Sequence, residues 1–199
     1  MYRYFENLID PLAAAPVEKP PAGTAAFFRH YLWPVRRLLF VTLLLSSIAS
    51  IAELYLYAYL GVIVDWMAST PPDDFFRQHG NSLWLMFFIV AVLRPVCLVA
   101  SRCLITLTLT PGITNTVRWQ NHRWVVRQSL GYFQNDFAGR VAQKVMQTGV
   151  SLRECVLNVV DGVWLLLIYL VGIVWLFMDI DSRLMVPVAA WVIGYVLVI

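Results

Sequence analysis

The side chains able to do acid–base, nucleophilic or metal chemistry are few and far apart. Histidine occurs at 30, 79 and 122 and cysteine at 97, 103 and 155, with no CxxC pair. The histidines fall on different segments, two on one side of the apolar runs and one on the other. They cannot build one metal site, and the cysteines read as packing thiols. A phosphate-binding GxxxxGK[ST] loop is absent from these residues, so they cannot hydrolyse ATP by the mechanism that such a loop serves. No catalytic, cofactor-binding or metal-ligating residue is assigned. What stands out instead is charge inside apolar sequence: Glu53, Arg94, Arg102 and Asp161. Each is expensive in hydrocarbon unless it is paired or faces water.

Depth suggests one pairing. Glu53 lies eleven residues before Val64 and Arg94 eleven after Leu83, so antiparallel helices rising about 1.5 Å per residue would bring both to one level. An ion pair between Glu53 and Arg94, or a cavity that both face, is the expectation. A pair that only fixes helix register fits equally well. Arg102 and Asp161 are nearer the ends of their runs, where either can reach towards water.

The elements holding these charges are membrane helices. Hydrophobic residues make up 60% of the chain and the mean hydropathy is +0.68, outside the range of ordinary soluble domains. Leu38–Val64, Leu83–Leu109 and Val156–Met178 each exceed the roughly 20 residues needed to cross a hydrocarbon core. Leu184–Ile199 begins a fourth run and stops mid-span, so the chain is expected to continue. The runs are continuous rather than alternating, which excludes a β-barrel. The fold class is all-α.

Of fifteen basic residues, eleven lie in two places: the N-terminal segment through Arg37 and residues 110–155. Basic residues are retained on the cytoplasmic side, which puts the N-terminus and the 110–155 segment there. The net charge of +3 thus reflects topology and not a nucleic-acid surface. Residues 1–23 hold an interfacial helix, with Phe5, Leu8, Ile9 and Leu12 on one face, followed by a Pro-rich linker. Residues 24–37 form an amphipathic elbow in which Phe27, Phe28, Tyr31 and Leu32 share a face while Arg29, His30, Arg36 and Arg37 reach headgroups. Pro34 turns the chain upward. Trp66 and Trp84 flank an outer loop at 65–82 and read as interfacial anchors.

Residues 118–148, RWQNHRWVVRQSLGYFQNDFAGRVAQKVMQT, are far more polar than the runs on either side. After a Pro111–Gly112 break, Val117, Trp124, Val125 and Leu130 keep a helical spacing. From Leu83 to Gln128 is 46 residues, about 69 Å of helix and more than twice the hydrocarbon thickness. Gly139 to Phe177 is 39 residues, about 58 Å. Two long helices joined by SLGYFQNDFAG would form a projecting arm suited to a soluble partner.

GYFQNDFAGRVAQKVMQT resembles the stretch of ABC exporter transmembrane domains often written FFDxxxxGxxxSR, where an aromatic pair, a polar turn and a glycine lead into the third helix. The elbow, the long first cytoplasmic loop and the short MDIDSR turn follow the same plan, so the resemblance covers most of residues 24–199. It implies that Leu130, Gly131, Tyr132, Phe133, Gln134, Asn135 and Asp136 form a coupling helix that lies across a nucleotide-binding domain, with Gly139 and Arg140 opening the third helix. Lys144 and Gln147 depart from the pattern, standing where many relatives have serine and arginine. The resemblance further implies alternating access driven by ATP and Mg2+ on a nucleotide-binding domain beyond Ile199 or on a separate chain. It also implies a second transmembrane domain as homo- or heterodimer partner, a hydrophobic or amphipathic substrate among membrane lipids, and a bacterial inner membrane. The competing class is a non-transporting four-span protein whose hairpin docks a soluble partner. A membrane-embedded enzyme would need a clustered nucleophile and base or a metal triad at one depth, which this chain lacks.

Overall fold

The computed structural model describes residues 5, 8–13, 16–134, 138–180 and 185–198, and among them no strand occurs. Among these residues six helices with described bounds follow one another. These are α1 (Thr24–Leu32), α2 (Arg36–Ser69), α3 (Pro72–Val125), α4 (Leu130–Gln134), α5 (Gly139–Phe177) and α6 (Met185–Val198). Helices α2, α3 and α5 are each long and apolar enough to cross a membrane. The chain is an all-α polytopic membrane protein.

Several boundaries differ from those expected of the sequence. The elbow helix stops at Leu32, and Trp33–Pro34–Val35 form a turn before Arg36, because Pro34 has no N–H to continue the helical ladder. The expected outer loop is mostly helix. Only Thr70 and Pro71 separate α2 from α3, since Pro72 at the first helical position loses an N–H that would be unpaired anyway, and Asp73 and Asp74 in the first turn complement the helix dipole. Residues 8–13 form turns and not one amphipathic face. Ile9 packs against the core while Leu8 and Leu12 stay exposed.

Pro111–Gly112 does not break α3. The helix passes through it after a π-helical stretch at Leu104–Leu109, and a second π stretch, Ile89–Leu93, precedes Pro95. In each case the carbonyl four residues before the proline lies inside the π stretch, where the wider turn makes room for the ring. A third π stretch in α5, Val159–Val163, has no proline but carries Asp161 and Gly162.

The chain forms two compact units, one from Met1–Leu45 with Val99–Gly162, the other from Ser46–Leu98 with Val163–Ile199. The first unit has a closed apolar core in which Tyr31 and Val35 meet Ile105, Leu109, Ile113 and Val117 of α3 and Leu152, Val156 and Val160 of α5. Both long helices contribute residues spaced by four, the spacing of ridges that interdigitate between packed helices. Gly149 permits the close approach, because a Cβ there would sit 2.6 Å from the Thr114 carbonyl oxygen. Thr108 donates to the Phe5 carbonyl at 2.8 Å, and Gly112 faces Ile9, so the N-terminal segment is seated on α3. In the second unit α2 and α5 approach where Gly172 leaves room for the Leu54 side chain. There the Trp164 indole donates to the Ser47 hydroxyl at 2.9 Å.

Candidate functional site

Two arrangements bring together residues singled out above, one in each unit. In the second unit the Arg94 guanidinium lies 2.9 Å from Glu53 Oε2. Tyr169 of α5 donates to the same oxygen at 2.8 Å, and Tyr57, one turn along α2, donates to Oε1 at 3.1 Å. Three helices therefore converge on one carboxylate. Glu53 and Arg94 are 25% and 34% exposed at their side chains, so neither is sealed off. Arg94 directly follows the π stretch Ile89–Leu93. Chemically the cluster is a charge-neutral knot of charge-assisted hydrogen bonds. It can hold three helices in register, and it presents a polar surface within apolar sequence.

Tyr57 could have been found from sequence, since it stands four residues from Glu53 and shares its helix face. Tyr169 could not, being 116 residues away with no local signal.

In the first unit Arg102 and Asp161 form an ion pair at 3.0 Å, in place of the two separate side chains reaching for water that are expected of the sequence. Counting depth from the other ends of the runs would have shown it, because Arg102 is seven residues before Leu109 and Asp161 five after Val156. The side chain of Arg102 is 54% exposed and that of Asp161 34%, and Asp161 sits in the π stretch of α5.

The hairpin tip belongs to this unit. Leu130, Gly131, Tyr132, Phe133 and Gln134 make the five-residue helix α4, while Asn135 and Asp136 lie outside the described residues. Gly139 and Arg140 fall in the first turn of α5. Tyr132 is 37% exposed and meets the Trp124 ring edge-on at 6.2 Å and Phe133 at 5.4 Å. Its ring is therefore partly spent on its own hairpin and partly open. One turn before the end of α3, Asn121 Oδ1 accepts from the Tyr31 hydroxyl at 3.3 Å with both side chains buried. Burial pushes the Tyr31 phenol above its usual range.

Compared with known proteins, the chain is 26% identical over its whole 199 residues to an uncharacterised ABC transporter ATP-binding protein of Haemophilus influenzae. The chain is thus a distant relative of an ABC transporter protein. It spans about a third of that protein, 32% of its length. No family model matches, and no solved structure matches.

Proposed function

We propose that this chain is part of the membrane domain of an ATP-driven ABC exporter that moves a hydrophobic or amphipathic substrate by alternating access. The observation that carries the reading is the hairpin of α3 and α5, closed by α4 at the position where the resemblance puts a coupling helix. The distant similarity to an ABC transporter protein over the entire chain supports it. On this reading the N-terminus and the hairpin are cytoplasmic. A nucleotide-binding domain, in the same protein or a separate chain, docks on Tyr132 and Phe133, with Asn135 and Asp136 at the rim. The exposed part of the Tyr132 ring is the anchor, since aromatic side chains set in a partner's groove often dominate interface energetics. ATP with Mg2+ is bound by that partner domain, and a second transmembrane domain completes the pathway. Glu53 and Arg94 face the pathway or brace its wall.

The test is to express the complete open reading frame in membrane vesicles and measure ATP hydrolysis and the transport it drives. Replacing Tyr132 and Phe133 by alanine is expected to cut transport at least tenfold while leaving ATP binding intact, because two interface anchors of ordinary size contribute a few kcal/mol together. Unchanged coupling in the double variant would assign both rings to hairpin packing. Absence of any ATP-driven transport by the wild-type protein would favour the second reading, a non-transporting membrane protein whose hairpin docks a soluble partner.

A further inference from the structure

The sequence from Lys19 to Ala52 contains four Lys or Arg residues and no Asp or Glu. Three of those cations sit where α1 turns into α2. The structure folds this segment around a groove of about 390 Å³ whose walls run from the elbow along the first turns of α2. Two cations, Arg29 and Arg36, stand at one end of a lining that is otherwise apolar. Arg36 stacks its guanidinium over the Trp33 ring at 3.7 Å, and Arg29 approaches the same ring at 5.8 Å. The other end is apolar, formed by Leu39, Phe40 and Leu43. Trp33 and Phe40 are 57% and 66% exposed, so the groove is open on its outer side.

From this polarity we infer that the groove is a binding site for one anionic phospholipid, with the phosphate held between Arg29 and Arg36 and an acyl chain laid along Leu39, Phe40 and Leu43. The charge pattern selects this occupant. A guanidinium seated over an indole face can still offer N–H donors, and its planar fork matches phosphate oxygens. No carboxylate stands between Glu18 and Glu53 in the sequence, so the segment that carries the pair brings no anion of its own. A phosphate joined to a hydrocarbon tail satisfies both ends of the groove at once. A soluble phosphate satisfies only one. The inference rests on the chain being a membrane protein and does not depend on its being a transporter.

The experiment places the full 199-residue chain in nanodiscs of equimolar phosphatidylglycerol and phosphatidylcholine and counts retained lipids by native mass spectrometry after mild release. The wild-type chain is expected to keep one phosphatidylglycerol in preference to phosphatidylcholine. A basic side chain in direct contact with an anionic headgroup strengthens its binding by about fivefold, so losing both contacts in Arg29→Gln with Arg36→Gln should lower retention by about 25-fold. Arg37→Gln removes the same charge from the neighbouring position outside the groove and should stay within about twofold of wild type. Equal retention of the two lipids by the wild-type chain would overturn the inference, as would retention of neither, the result expected if protein covers the groove. An equal loss in Arg37→Gln would overturn it too, by reducing the effect to diffuse surface charge. The headgroup preference of the wild-type chain needs no variant, so a misfolded double substitution cannot obscure the answer.

Discussion

At the scale of single residues, the two ion pairs call for different expectations. Glu53 has three donors from three helices, and removing one partner leaves a charge in apolar surroundings. Glu53→Gln or Arg94→Met alone should therefore lower stability by roughly 2–3 kcal/mol, with the double substitution recovering much of the loss. Thermal unfolding of the four species in detergent gives the coupling energy, and additive losses would mean that the pair does not act as a unit. Asp161→Asn should cost less than about 1 kcal/mol, because the Arg102 side chain is more than half exposed and solvent screens the pair. Tyr31 supplies a pH dependence. Its phenol is raised above the ordinary 10.0 by burial, so the folded state holds its proton more tightly than the unfolded state. That stabilisation is complete below pH 10.0 and is lost as the pH rises through the folded value. Tyr31→Phe should flatten this alkaline limb in unfolding curves and cost about 1 kcal/mol at neutral pH through the lost bond to Asn121.

For whole elements, the glycines separate close packing from open space. A methyl at Gly149 would meet the Thr114 carbonyl, which is backbone and cannot swing away. Gly149→Ala should force α3 and α5 apart in the first unit and cost about 1–3 kcal/mol. Gly61 of α2 has nothing within 4 Å of the same added atom, so Gly61→Ala should be neutral or stabilising by up to about 1 kcal/mol. Equal effects at both positions would mean that helix propensity, and not packing, governs them. The prolines of α3 make a related point. The sequence marks Pro111 as a break, yet a π stretch absorbs it, and a pattern of residue types carries no sign of which remedy the backbone will take.

For the molecule as a whole, the orientation argued from basic residues can be measured directly. With native cysteines replaced and Arg127→Cys introduced in the exposed turn after α3, a membrane-impermeant maleimide should label inside-out vesicles and spare intact cells. The reverse labelling would invert the topology and remove the coupling role proposed for α4. On the function proposed above, joint expression with a nucleotide-binding domain should raise the apparent melting temperature of the chain, since a partner that binds only the native hairpin stabilises it. The shift should vanish when Tyr132 and Phe133 are both alanine.

Much of this organisation was legible in the chain alone. Uninterrupted apolar length determined the all-α membrane fold, because in lipid the backbone must satisfy its own hydrogen bonds within each span. Matching depths pointed to Glu53 and Arg94, since the rise per residue is fixed. Tertiary structure alone decided the rest. Tyr169 joins Glu53 across 116 residues, Gly149 meets a carbonyl on another helix, and Ile9 turns inward while its expected companions Leu8 and Leu12 stay outside. These depend on how each helix is rotated about its axis, which local π turns reset and no single-helix periodicity encodes. Sequence spacing determines which residues share a helix and a depth. Packing decides which of them face one another.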